Sequence, residues 1–133
     1  MATGFTRWAA DHILYSWINS QTYVGLSNTT PDEDGNNFSE PYADTGYQRQ
    51  QFGAVNTRIP GQIANGNIIF MFEAIESMGS FTHVGLFDAE KDWQKPFLVA
   101  QLSSPLTVNA GYVPLIRAEQ FIIGLDKDYL EGY

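Results

Sequence analysis

Between residues 22 and 125 the chain is a succession of short β-type runs, and no other feature constrains its fold as tightly. TYVGLS (residues 22–27), YQRQQF (47–52), IIFMF (68–72), FTHVGLFD (81–88) and FLVAQL (97–102) are rich in aromatic and branched residues, which suit a pleated, half-buried surface. Turn-forming segments separate them, at Asn65-Gly66-Asn67, at Gly79-Ser80 and along Thr107-Val108-Asn109-Ala110-Gly111. Within FTHVGLFD, Phe81, His83, Gly85 and Phe87 share one face, and Thr82, Val84 and Leu86 share the other. In the last third, Val113, Leu115, Arg117, Glu119, Phe121, Ile123 and Leu125 alternate with Pro114, Ile116, Ala118, Gln120, Ile122 and Gly124. Both sets hold apolar members, which predicts one long strand covered on both faces near its end, as in a sandwich. The 133 residues are enough for one core and too few for two good ones. The expected architecture is mainly β: a single-domain antiparallel β-sandwich over residues 1–133, jelly-roll-like, with seven or eight strands behind an N-terminal amphipathic helix.

That helix is expected over residues 5–20. Phe5, Trp8, Ala9, His12, Ile13 and Trp17 recur at spacings of three and four, and Leu14 and Ile18 widen the stripe. Such a face must bury against something, either the protein's own sheet or a neighbouring subunit. Residues 28–46, rich in Asn, Asp, Thr, Pro and Gly, read as a long surface loop and a candidate contact region.

The charge is −8, from 15 acidic and 7 basic residues, so affinity for phosphate backbones has little to rest on. The expectation is no nucleic-acid partner and no anionic membrane partner; a basic protein surface is a better match. The absence of Cys excludes disulfides, thiolate metal sites and thiol catalysis. Arg7, Asp11 and His12 interrupt any apolar run at the start, so no signal peptide is expected.

Few residues suggest chemistry. His12 and His83 share no metal-ligand spacing, and no nucleophile elbow is present. Asp32-Glu33-Asp34-Gly35-Asn36 is suggestive of a calcium loop, yet Gly35 falls fourth from Asp32 and the twelfth residue is Ala43. A solvated loop with no metal is the better reading. Glu73, Glu76, Asp88 and Glu90 are available as paired carboxylates, but nothing in their spacing shows a glycosidase pair. Trp93, Tyr42 and Tyr47 are candidates for stacking on sugar rings. No catalytic residue, cofactor or metal is expected.

The order of motifs, TYVGLSNTTPDEDGNNFSEP, GYQRQQF, NGNIIFMFEA, GSFTHVGLFDA and FLVAQLSSPLTVNAG, closing on GLD, resembles small bacteriophage tail fibre and virion structural proteins. The likeness runs from Tyr23 to Asp126, and THVGLFDA and TVNAG are its most specific parts. The chain departs from that pattern at Met78, at the charged residues 90–95, and at Tyr112 after TVNAG. The resemblance implies a non-enzymatic virion protein: a tail fibre, tail-tip, baseplate or adaptor component that assembles as a trimer or hexamer with other virion proteins. Alternatives are a carbohydrate-binding module reading a host surface glycan, and a head decoration or collar protein. The expected contact residues are Trp8 and Trp17 on the helix, Asp32, Asp34, Phe38 and Tyr42 on the loop, and Trp93.

Overall fold

A computed structural model describes residues 6–19, 21–57, 62–88 and 95–124. The described chain is mainly β with antiparallel sheets and one α-helix, as the alternation of short runs predicts. The strands are β1 (Tyr23–Ser27), β2 (Gln50–Gln51), β3 (Val55–Thr57), β4 (Gln62–Asn65), β5 (Ile69–Phe70), β6 (Gly79–Phe87), β7 (Leu98–Val108), β8 (Leu115–Ile116) and β9 (Ile122–Gly124). Two compact units emerge, each built from separated stretches of sequence.

One unit gathers described residues of Gln21–Gln51 and Phe70–Leu115. Its centre is a four-stranded sheet in the order β2-β1-β6-β7. The motif Val-Gly-Leu occurs in both central strands, and the antiparallel register sets the two copies against each other: Val24 opposite Leu86, Gly25 opposite Gly85, Leu26 opposite Val84. Val24, Leu26, Val84 and Leu86 are buried on one face; Ser27 and Phe87 are buried on the other. β7 is longer than the FLVAQL run suggests. It continues past Pro105 to Val108 by means of a bulge, since Phe81 pairs with Leu106 but His83 pairs with Gln101.

The other unit gathers described residues of Met1–Ser20, Phe52–Ile69 and Ile116–Tyr133. Here β3, β4 and β9 form a three-stranded antiparallel sheet, and the helix α1 (Arg7–Trp17) lies against β4. Thr6 caps the helix by accepting from the Ala9 N–H at 3.1 Å, which satisfies one of the free first-turn donors. Ile63 and Ala64 of β4, Phe52, Phe121 and Ile123 are buried, with the Phe52 and Phe121 rings edge to face at 5.6 Å.

The structure divides one expected feature and corrects another. The helix stripe, expected to bury on the protein's own sheet or on a neighbouring subunit, splits into two. Leu14 and Ile18, one turn apart, are the buried pair, whereas Trp8, His12 and Trp17 are exposed. The long closing strand is two short ones, β8 and β9, separated by a turn in which the Gln120 N–H donates to the Arg117 carbonyl and Glu119 has φ of 67°. Asn65 causes the break. Fully buried, it donates to the Arg117 carbonyl at 2.8 Å and accepts from the Phe121 N–H at 2.9 Å, while its own carbonyl accepts from the Glu119 N–H at 2.8 Å. An extended strand cannot present all three groups to one residue.

Candidate functional site

Residues 28–46 form a loop whose fold follows from a gap in the sheet beside it. The opposed Gly25 and Gly85 leave one face of β1 and β6 without side chains at its middle. Loop side chains fill that space. A Cβ on Gly85 would lie 2.7 Å from the Phe38 ring, and a Cβ on Gly25 would lie 2.7 Å from Glu40 Oε2. Phe38 also meets the Phe87 ring edge to face at 5.3 Å. The loop is thus plugged into the sheet by one aromatic ring and one carboxylate.

The carboxylate is held by a polar cluster. Arg49 Nη2 donates to Glu40 Oε1 at 2.7 Å and Arg49 Nε to Oε2 at 3.0 Å, a two-pronged ion pair, and the guanidinium carbon lies 3.5 Å from the centre of the Phe87 ring. Tyr47 donates its hydroxyl proton to Glu40 Oε2 and accepts from the Leu26 N–H at 2.9 Å. Burial, and next the adjacent Glu40 charge, push the Tyr47 phenol far above its ordinary value of 10.0. Two points of the loop meet at Ser27, whose hydroxyl accepts from the Ser39 N–H at 3.0 Å and donates to the Thr29 carbonyl at 2.9 Å.

At the loop's tip, Asp32 accepts from the N–H groups of Asp34 and Asn36, both at 2.9 Å on Oδ1. The backbone hydrogen bond from Asn36 is the main cause that lowers the Asp32 pKa from 3.8. Asp32 Oδ1 is thus engaged in shaping the turn.

The residues expected to make contacts fall into three groups. Trp8 is 74% exposed and Trp17 62% exposed on α1, with the Trp8 ring stacked on His12 at 5.2 Å. Asp32, Asp34 and Tyr42 are exposed on the loop, Tyr42 at 84%. Phe38, half-buried, is committed to the sheet as the plug described above. Trp93 lies outside the described residues, as does Glu90. Two features were missed by sequence reasoning. One is the Glu40–Tyr47–Arg49 cluster, whose members look like ordinary loop and strand residues. The other is a ribbon formed by residues 70–76 and 111–115, where Phe70, Ile75, Tyr112, Val113 and Leu115 are exposed. Run by run, the alternation of apolar residues in both segments promised burial on both sides.

His83 Nδ1 is hydrogen-bonded to Thr82 Oγ1 at 2.8 Å, a local pairing within β6. Glu73, Glu76 and Asp88 are exposed. No helix among the described residues is long and apolar enough to cross a membrane.

What this geometry offers is contact surface: exposed aromatic side chains and a tethered loop on antiparallel sheets. A family model described as Podophage GP4 fiber I protein gp80 matches residues 15–124, from within α1 to the last residue of β9. Among curated proteins, none matches the chain. The match covers most of the chain, agrees with the resemblance carried by its motifs, and sets its place in biology at the level of the virion: the chain belongs to the Podophage GP4 fiber I protein gp80 family, a family of phage fibre proteins and hence of virion structural proteins.

Proposed function

We propose that the protein is a non-enzymatic tail fibre, tail-tip or adaptor component that works by assembly contacts with other virion proteins and with copies of itself. The observation that carries this reading is the outward placement of two Trp side chains on α1. Trp8, stacked on His12, is 74% exposed and Trp17 62% exposed on a helix whose buried residues are Leu14 and Ile18, and solvated indole surface is costly. Buried against a partner, each such ring is the kind of anchor that dominates interface energetics, at about 2 kcal/mol or more. The exposed loop residues Asp32, Asp34 and Tyr42 form a second contact surface in this reading.

The test is the double variant Trp8→Ala, Trp17→Ala. It should melt within a few degrees of the parent, because neither ring is core, yet fail to enter particles when supplied to a phage whose own copy is disabled. A variant that unfolds, or one that assembles normally, removes the helix from the account.

A sugar-reading role retains one specific observation, the exposure of Tyr42. Tyr47, the other described candidate for stacking, is buried and tied to Glu40. A glycan array on which the parent binds and Tyr42→Ala does not would favour this second reading.

A further inference from the structure

Residues 70–76 and 111–115 run side by side, joined by hydrogen bonds from the Met71 N–H to the Pro114 carbonyl at 2.9 Å, from Ala74 to Tyr112 at 3.0 Å and from Gly111 to Ala74 at 2.7 Å. The Ile75 N–H reaches across to the Thr45 carbonyl at 2.8 Å, and Thr45 in turn donates its N–H to the Tyr42 carbonyl at 3.1 Å. Backbone bonds therefore link Tyr42, Ile75 and Tyr112 into one neighbourhood, and Phe70, Val113 and Leu115 continue it along the ribbon. Met71, Phe72, Ala74 and Pro114 are buried beneath. Ile75 is 71% exposed and Tyr112 60%. Six large apolar side chains are exposed on these hydrogen-bonded segments, and exposed apolar surface gathered in one place marks interaction sites.

The charged side chains carried by these segments are all acidic, and Arg117 is exposed two positions beyond Leu115. Asp44, Glu73 and Glu76 are exposed beside it. Residues 42–48, 70–79 and 111–115 include no Lys, Arg or His, in a chain of net charge −8. A second copy applied through the same face would bring the same three carboxylates against these, which disfavours self-association there. We infer that the ribbon docks a different virion protein, one presenting an apolar surface rimmed by Lys and Arg. This inference rests on the assembly reading and adds to it a surface in the other unit and the charge of the partner.

The experiment counts copies per purified particle after the full chain is supplied to a phage lacking its own. Two variants are compared with the parent: Ile75→Ser with Tyr112→Ser, and Asp44→Lys with Glu73→Lys and Glu76→Lys. The second set alters only exposed side chains, and melting temperatures confirm that both sets fold. Each should lower the copy number by about ten-fold or more. Because the chain has no Cys, a photoreactive label on Ile75→Cys reports this surface alone, and it should cross-link to a different virion protein. Parent-like copy numbers for both sets, with the Trp8→Ala, Trp17→Ala variant excluded, would overturn the ribbon and leave the assembly reading standing. Loss with the serine pair but not the lysine triple would overturn the basic partner. A cross-link to a second copy would overturn it too. A parent chain that never enters particles brings down both readings.

Discussion

Asn65 and Glu40 show how much of this small protein is set by single polar side chains placed among apolar ones. Asn65 is buried, and its amide satisfies the Arg117 carbonyl and the Phe121 N–H. Asn65→Ala leaves the buried Phe121 N–H without this acceptor and the Arg117 carbonyl with only the Gln120 N–H, and should cost about 1–3 kcal/mol in a denaturant titration. Asn65→Asp should recover only the acceptor half. Glu40 answers the charge of Arg49, whose side chain is 5% exposed. Glu40→Ala leaves a buried guanidinium without that partner and should cost about 3 kcal/mol. The same cluster makes a pH prediction. The Tyr47 phenol titrates far above its ordinary 10.0 in the folded chain, so the unfolded chain releases this proton first as pH rises. Its contribution is complete below pH of about 10 and drains away above it. Thermal melts from pH 9 to 11 should show the parent losing stability more steeply than Tyr47→Phe; parallel curves would contradict the cluster.

At the scale of elements, the paired Val-Gly-Leu motifs are the organising device of their unit. Gly25 and Gly85 serve as the socket for Phe38 and Glu40, and the contact distances leave no room for a methyl group. Gly25→Ala or Gly85→Ala should destabilise by about 1–3 kcal/mol. Hydrogen exchange should rise over residues 28–40 before it rises in β1 and β6; uniform exchange throughout the unit would mean that the loop is not plugged in this way. These elements also show what was legible in the sequence. β1 and β6 were readable because their composition is strand-like, whereas their register, which joins residues more than fifty positions apart, was not. The helix was readable from its period, but not its orientation. Trp8 and Trp17 outweigh Leu14 and Ile18 in any hydrophobic stripe, and only tertiary packing chose the smaller pair. The β8–β9 break was hidden because it depends on a side chain more than fifty positions earlier, Asn65. Tyr42 was singled out and is exposed; Phe38 was singled out and is a plug, a distinction set by the glycine socket rather than by the ring itself.

For the whole molecule, membership of the phage fibre family gives meaning to surfaces that a free-standing protein would bury. Exposed apolar residues occur on α1 in one unit and on the 70–76 and 111–115 ribbon in the other, in a chain of net charge −8. A symmetric set of three or six copies is the arrangement that the assembly reading expects. In this reading the protein works as a fixed component of the virion. Quantitative mass spectrometry of purified particles tests it most directly. A fixed component should be present at a constant copy number relative to the major capsid protein, in a multiple of three, and be retained through salt washes. Particles without the chain, or with traces that vary between preparations and wash away, would contradict it.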